Sequence, residues 1–198
     1  MMKAEDSKME NPIRWGVIGT ANIGRAAVIP AIQASNNGVL LSVASRDAAR
    51  AAEFAEKNSI SENFGSYEAL LDDPDIDAVY IPLPNSLHHE WTIKAAQAGK
   101  HILCEKPLAL SASQCLEMEA AARENGVLLM EAFMYRFHPR TEKMIAMARS
   151  GELGPLRFIQ SSFTFRLSRR DNIRFSKDLG GGSLMDVGSY CVNISRTL

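Results

Sequence analysis

The feature that most constrains this chain is a repeated alternation of short apolar segments with longer segments whose small and apolar residues recur at helical spacing. Strands that alternate with helices in this way build a parallel sheet covered on both faces. We predict strands at Trp15 to Ile18, Val39 to Ala44, Ala78 to Leu83, His101 to Cys104 and Val127 to Glu131. The predicted helices are Ile23 to Ala34, Asp47 to Lys57, Tyr67 to Leu71, Leu87 to Ala98 and Ser111 to Asn125. Pro30 predicts a kink or an early end in the first helix. The fold class is therefore α/β, with helices on both faces of the sheet.

The last third of the chain follows another pattern. Phe137 to Arg149 predicts a helix, and Leu156 to Leu167 alternates like a strand of a different sheet. Apolar residues return at helical spacing after Gly180-Gly181-Gly182 and stop at Leu198 without a helix-ending signal. We therefore divide the chain into residues 12–135, which hold the parallel sheet, and residues 136–198, which begin an α+β domain that we expect to be truncated.

Composition narrows the possible functions. Hydrophobic residues make up 46% of the 198 residues, charged residues 23%, and the net charge is -1, which is typical of a globular protein and implies no nucleic-acid or membrane partner. Since the first ten residues are mostly polar and no segment approaches ~20 apolar residues, we expect a cytoplasmic protein. Three cysteines without metal-ligand spacing favour reduced, buried thiols.

A glycine-rich turn follows the first predicted strand. Gly19, Ala21 and Gly24 occupy the three positions of a G-x-G-x-x-G turn, with alanine replacing the middle glycine. Small residues there allow a sharp turn, the approach of a pyrophosphate, and close packing of the helix whose positive end faces phosphate. Because the turn opens a repeated strand-helix pattern, it predicts a Rossmann-type dinucleotide-binding domain.

The end of the second strand indicates which dinucleotide binds. NAD-specific sites usually carry an acidic residue there for the ribose hydroxyls, whereas this chain has Ser45-Arg46-Asp47. An arginine can pair with a 2'-phosphate, so we expect NADP, with NAD still possible. The alternative is that Arg46 is a solvated loop residue and Asp47 only caps the following helix.

Three residues are candidates for catalysis. Lys106 follows the strand His101 to Cys104, at the sheet edge where ligands bind in open α/β folds. Asp186 and Tyr190 lie four residues apart in a helical segment and project from one face. Tyr190 could move a proton if Lys106 lowers its pKa. The alternatives are that Lys106 is a surface residue and that Tyr190 belongs to an apolar stripe.

Other polar residues lie on the same rim. Asn85 and His88 follow the strand that ends at Leu83, and both are candidates for contact with cofactor or substrate. Arg166, Arg169, Arg170 and Arg174 stay unassigned. The complete predicted cofactor site is Gly19, Thr20, Ala21, Asn22, Ile23, Gly24, Ser45, Arg46, Leu83, Pro84, Asn85, His88, Glu105 and Lys106.

Several motifs together resemble a known family. They are the glycine turn, Asn85 to His88, Glu105-Lys106-Pro107, and the segment from Gly180 to Tyr190. In this order they resemble the glucose-fructose oxidoreductase, inositol dehydrogenase and rhizopine-catabolism (Gfo/Idh/MocA) family. The segments at residues 65–71 and 130–137 look most like its NADP-dependent D-xylose dehydrogenases and dimeric dihydrodiol dehydrogenases.

The resemblance implies roles for the candidate residues. Lys106 would position the substrate, Tyr190 would donate or accept the proton, and Asp186 would be their polar partner. Many family members have histidine at the Tyr190 position, so a histidine-based mechanism is not carried over. The implied activity is hydride transfer between NADP and a hydroxyl-bearing carbon of an aldose, such as D-xylose, or of a cyclic diol.

The resemblance also implies the length, the C-terminal domain and the oligomeric state of the protein. Members of the family are usually longer, with a large C-terminal sheet that often forms the dimer face. We expect this chain to contain only the first strand and helix of that domain, and the complete protein to form a homo-oligomer through the sheet. Phe158, Phe163 and Phe165 would then form an exposed apolar patch. The alternatives are a catalytically silent nucleotide-binding protein or fragment and, less compatible with Glu105-Lys106-Pro107, a methyltransferase.

Overall fold

The structure is a computed structural model that describes residues 11–168 and 171–198. Its centre is a six-stranded sheet in the order β3-β2-β1-β4-β5-β6. All five neighbouring pairs are parallel. The strands are β1 (Ile13–Ile18), β2 (Gly38–Ala44), β3 (Glu62–Phe64), β4 (Ala78–Ile81), β5 (His101–Cys104) and β6 (Leu129–Glu131). The predicted parallel α/β sheet is confirmed.

Helices alternate with these strands. They are α1 (Ile29–Ala34), α2 (Ala48–Lys57), α3 (Tyr67–Leu71), α4 (His88–Gln97), α5 (Ala112–Glu124), α6 (Pro139–Ser150) and α7 (Ser189–Thr197). A π-helical turn, Gly24–Val28, leads into α1, and Pro30 lies in the first turn of α1. The predicted irregularity near Pro30 is therefore a change of helix type. Serine and aspartate side chains cap three helices, in each case by accepting a hydrogen bond from a main-chain N–H, at Asp47, Ser66 and Ser111.

The core lies on both faces of the sheet because successive strand residues point in opposite directions. Ile18 faces one cluster, which includes Leu70, Trp91 and Met118 from α3, α4 and α5. Its neighbour Val17 faces the other cluster, which includes Ile29 from α1. The sheet is therefore covered on both faces, as predicted.

Two segments differ from the predictions. The short edge strand β3 was missed because Glu62 and Asn63 provide no apolar pattern. The predicted strand from Leu156 to Leu167 is wrong, because these residues form no strand and are mostly exposed. A strand needs a neighbour to pair its N–H and C=O groups, and the sheet formed by the described residues does not extend to this segment.

The sheet order places one crevice at the middle of the sheet. The strands β1 and β4 are neighbours, although β2 and β3 come between them in the chain. The direction of the strand order reverses at this pair, and ligands of open α/β sheets bind at the carboxyl ends of such strands.

None of the helices in the described ranges is long and apolar enough to cross a membrane. Cys104 is a buried free thiol, whereas Cys115 and Cys191 are half-buried.

Candidate active site

The glycine turn has the backbone that its sequence predicts. Gly19 follows β1 with φ of +110°, and its N–H donates to the Ala44 carbonyl oxygen at 2.8 Å. A Cβ atom on Gly19 would lie 2.9 Å from Leu83 Cδ2. Helical conformation begins at residue 22, so the positive end of the helix faces the turn. Both conformation and space require glycine at position 19.

The other small residues of the turn also suit a dinucleotide. A Cβ on Gly24 would meet Tyr80 Cε1 at 3.4 Å, which shows how closely the helix approaches β4. Ala21 is half-buried, and its methyl group is accommodated within the turn. Thr20, Asn22 and Ile23 lie partly or fully exposed along the same edge. The cradle therefore fits a pyrophosphate.

The residues predicted to contact the ribose of the cofactor lie at the end of β2, and they differ in exposure. Ser45 is buried and Arg46 is exposed. The Asp47 carboxylate caps α2 by accepting a hydrogen bond from the Arg50 N–H at 3.1 Å. The capping role proposed for Asp47 is confirmed, and Arg46 is free to reach a ligand at the end of β2.

A cavity of about 570 Å³ lies between the glycine turn and α2. Thr20, Ala21 and Asn22 line one side, and the helix contributes Arg50 and other residues. Its cationic lining residues are Arg25, Arg50 and Lys57, and the lining does not include Arg46. Arg50 was not predicted as a cofactor contact, although it lies in the first turn of α2, shortly after Arg46.

The loop after β4 connects the sheet to the triple-glycine segment. The Asn85 side-chain amide donates to the Gly180 carbonyl oxygen at 2.8 Å, and the Ser86 N–H donates to the Leu179 carbonyl oxygen at 3.3 Å. Leu83 is buried against the glycine turn, and Pro84 is half-buried. Asn85 thus holds two parts of the site together in this structure.

His88 lies in the interior instead of on the rim. Its side chain is fully buried, with Nδ1 2.8 Å from the Pro107 carbonyl oxygen and Nε2 2.8 Å from the Leu83 carbonyl oxygen. Burial lowers the pKa of the ring. Both nitrogens face main-chain oxygens, so no surface of the ring is left for a cofactor in this arrangement.

Lys106 enters the site from the end of β5. Its Nζ donates to the Asp186 main-chain oxygen at 2.7 Å and lies 3.2 Å from Asp186 Oδ1. Only 12% of the Lys106 side chain is exposed, so it is not the surface lysine of the alternative interpretation. The preceding Glu105 is fixed by the Tyr80 hydroxyl, which donates to Oε1 at 2.7 Å.

Asp186 also binds a second cation. Arg174 Nε donates to Asp186 Oδ2 at 2.6 Å, and the Arg174 guanidinium lies 5.8 Å from the centre of the Phe165 ring. Of the arginines left unassigned, Arg166 is exposed, and Arg169 and Arg170 lie outside the described residues. Asp186 is thus the anion shared by Lys106 and Arg174.

Tyr190 stands in an aromatic cluster beside Lys106. Its ring packs against Phe133, Tyr135 and Phe163, and its hydroxyl lies 3.7 Å from Met134 Sδ. Burial, reinforced by the negative charges of Glu105 and Asp186, raises the pKa of Tyr190 to about 12. The expectation that a nearby cation lowers this pKa toward neutrality is therefore wrong, because burial and the two carboxylates outweigh the lowering effect of Arg174.

The fold and the site together define a class of protein. An α/β domain of the dinucleotide-binding type presents a lysine, an aspartate and a tyrosine close together at the carboxyl end of the sheet, the same end as the glycine turn. The family model described as "Oxidoreductase family, NAD-binding Rossmann fold" (GFO_IDH_MocA) matches residues 13–133. The model of the GFO/IDH/MocA C-terminal domain matches residues 141–198. The chain belongs to the GFO/IDH/MocA oxidoreductase family.

Individual relatives support this assignment. D-xylose 1-dehydrogenase (NADP(+)) 2 of Haloferax volcanii is 51% identical over 92% of this chain and 56% of its own length. Trans-1,2-dihydrobenzene-1,2-diol dehydrogenase of Xenopus tropicalis is 37% identical over 90% of this chain and 54% of its own length. Both branches named by the sequence resemblance are thus represented.

A solved structure shows the same arrangement of the chain. The 3-ketoreductase KijD10 from Actinomadura kijaniata, in complex with NADP and TDP-benzene, superposes with a TM-score of 0.87 at 42% identity. The match covers 93% of this chain and 57% of that one. The chain therefore spans about half the length of the relatives that it matches.

Proposed function

We propose that this chain is the cofactor-binding part, with the beginning of the substrate-binding part, of an NADP-dependent oxidoreductase. It would transfer hydride between the nicotinamide and a hydroxyl-bearing carbon of an aldose, such as D-xylose, or of a cyclic diol. The observation that carries the proposal is the meeting of Lys106, Asp186 and Tyr190 at the carboxyl end of the sheet. The names of the relatives from Haloferax volcanii and Xenopus tropicalis support these two substrate classes.

The glycine turn and its surroundings would hold the cofactor. The turn from Gly19 to Gly24 would bind the pyrophosphate at the positive end of the helix. Arg46 and Arg50 would attract the additional phosphate that distinguishes NADP from NAD. When bound, the cofactor supplies the hydride acceptor or donor.

The residues of the chain would manage the proton. Lys106 would hold the oxygen of the reacting carbon, and Asp186 would keep the ammonium group in place. With a pKa of about 12, Tyr190 carries its proton at neutral pH and is suited to donate it to the oxygen formed during carbonyl reduction. In the oxidation direction, by microscopic reversibility, the phenolate form of Tyr190 would accept the proton.

A second substrate class has specific support. The reductase from Actinomadura kijaniata was solved with TDP-benzene as well as NADP, so a ketone on a nucleotide-linked sugar is the second candidate. We also propose a domain boundary between residues 135 and 136, homo-oligomers formed through the C-terminal sheet, and a cytoplasmic location.

The cofactor assignment is tested by fluorescence titration of the chain with NADPH and, separately, with NADH. We expect tighter binding of NADPH, and weaker preference for it in Arg46→Ala and Arg50→Ala variants. Equal affinity for both cofactors in the unmodified chain would contradict the NADP assignment. Absence of binding by a folded chain, as judged by circular dichroism, would overturn the dinucleotide-binding role.

The catalytic assignment is tested with Lys106→Ala in turnover assays on aldoses and cyclic diols. We expect turnover to fall by about 10²-fold or more while the dissociation constant for NADPH changes little. Lys94→Ala is the matched control, because Lys94 lies at the surface and pairs with Glu68 and Glu90. Unchanged turnover in Lys106→Ala would reject the role of Lys106, and NADPH binding without turnover in the unmodified chain would indicate the catalytically silent alternative.

A further inference from the structure

We propose that His88 is a positioning residue. It holds the loop that carries Lys106 against the loop that begins at Leu83, whose side chain packs against the glycine turn. That the positioning serves catalysis rests on the proposed function. That His88 holds the two loops together rests on its contacts alone. Positioning replaces direct contact with the cofactor as the role of this histidine.

The contacts of His88 join two loops that are distant in sequence. Nδ1 reaches the carbonyl oxygen of Pro107, the residue directly after Lys106. Nε2 reaches the carbonyl oxygen of Leu83, whose side chain limits the space at Gly19. One buried ring therefore connects the lysine loop with the loop that supports the glycine turn.

The chemistry of imidazole explains why a histidine occupies this position. Its rigid ring carries nitrogens that can hydrogen-bond in two different directions, and each of them faces a main-chain carbonyl oxygen here. The neutral ring donates to one carbonyl oxygen at a time, whereas the protonated ring donates to both. A phenyl ring of similar size would fill the space but would leave both buried oxygens without this partner.

Two other side chains hold the same loop on either side of Lys106. The Tyr80 hydroxyl binds Glu105, and Glu131 Oε1 accepts a hydrogen bond from the Leu108 N–H at 2.9 Å. The His88 contact falls between these two, at Pro107. With its backbone fixed on both sides, the lysine can direct its amine at Asp186.

The test measures the local protection of Lys106 in this chain, without requiring turnover. An amine-reactive label and mass spectrometry give the labelling rate of each lysine in the unmodified chain and in His88→Phe and His88→Asn variants. Lys100 is the internal reference, because it is 7% exposed and its Nζ donates to the main-chain oxygens of Asp73 and Ile76. It lies beyond the C-terminal end of α4, whereas His88 is the first residue of that helix. The labelling rate of Lys100 reports general unfolding.

The matched control variants are His89→Phe and His89→Asn. His89 is the neighbouring histidine, and it makes a surface contact with Glu117. We expect the ratio of Lys106 to Lys100 labelling to rise at least fivefold in the His88 variants and to stay within twofold in the His89 variants. An unchanged ratio in every folded His88 variant overturns the proposal. So does a parallel rise of both lysines in both His88 variants, because His88 would then serve the core as a whole.

A kinetic comparison separates positioning from cofactor binding. In the active enzyme, His88→Phe should lower kcat at least tenfold while the KM for NADPH changes less than threefold. A loss confined to the KM for NADPH would overturn the positioning role. Failure of the unmodified chain to bind NADPH would reject the proposed function instead, and it would leave the labelling result to decide the role of His88.

Discussion

The Nζ atom of Lys106 lies 4.9 Å from the centre of the Tyr190 ring, so the cation faces the ring. A cation over an aromatic face is attracted by the ring itself, and this attraction does not require the hydroxyl group. The packing of Tyr190 and its proposed proton transfer are therefore separable by experiment.

Replacing Tyr190 with phenylalanine should remove proton transfer and leave the cluster intact. We expect turnover to fall by about 10² to 10⁴-fold, the usual contribution of a general acid or base. The free energy of unfolding should change by less than about 1 kcal/mol, because the ring contacts remain and only a long contact of the hydroxyl with Met134 Sδ is lost. Steady-state kinetics and urea melts measure the two effects.

Tyr135→Phe is the control for this experiment. Tyr135 belongs to the same aromatic cluster, and its hydroxyl donates to Asn193 Oδ1. We expect turnover to stay within a few-fold of the unmodified protein. Equal losses of turnover in the two variants would indicate that the cluster as a whole matters, and would remove Tyr190 from its proposed role.

Gly19→Ala should damage both stability and cofactor binding. A left-handed backbone costs an alanine about 1 to 2 kcal/mol, and the overpacking against Leu83 adds about 1 to 3 kcal/mol. Gly126→Ala isolates the first effect, since Gly126 also has a positive φ, of +67°, but its Cβ would meet nothing within 4 Å. Urea melts should show the greater loss for Gly19→Ala, and NADPH titration should detect weaker binding only there. Similar melts and affinities for both variants would contradict the close approach to Leu83.

Glu131→Gln should change how stability depends on pH. Burial raises the pKa of Glu131 in the folded chain, so the unfolded chain releases this proton at a lower pH than the folded chain does. Stability due to this group therefore falls as the pH rises from the unfolded pKa to the folded one. Glutamine keeps the acceptor for the Leu108 N–H and does not titrate. We expect the variant to gain stability relative to the unmodified chain between pH 4 and pH 7.

Urea melts at several pH values between 4 and 7 measure this difference. Glu119→Gln is the control, because Glu119 is exposed on α5 and its contact with Arg123 is long, at 3.9 Å. A difference between Glu131→Gln and the unmodified chain that is constant over this range would show that the burial of Glu131 has no energetic consequence.

Much of the fold could be predicted because its signals are local. The strand from His101 to Cys104 and the helix from Tyr67 to Leu71 were predicted with the bounds that the structure has. Each is a short apolar segment next to a recognisable turn or cap. The segment from Leu156 to Leu167 carries an equally clear alternation but forms no strand, because an alternating pattern describes the faces of a strand and cannot provide its partner.

In the candidate site, too, the residues that carry local motifs could be predicted, whereas their contacts could not. Lys106, Asp186 and Tyr190 were selected from motifs, and the structure brings them together. The direction of the Tyr190 pKa shift was predicted wrongly, since it depends on burial and on the carboxylates of Glu105 and Asp186, which only the fold brings near the ring. The contacts of His88 were missed because they join Leu83 and Pro107, which are not neighbours in the chain. Arg50 was missed because the cavity that it lines forms only when α2 packs beside the glycine turn.

The sequence by itself determined the alternation of strands and helices, the glycine turn at residue 19 and the family to which the chain belongs. These properties depend on residue types at short spacings, for which backbone geometry allows few solutions. Only the tertiary structure decided that Asp186 is shared by Lys106 and Arg174, and that His88 lies inside. Those contacts depend on burial and on distances between residues far apart in the chain, and both arise only when the sheet and its loops pack together.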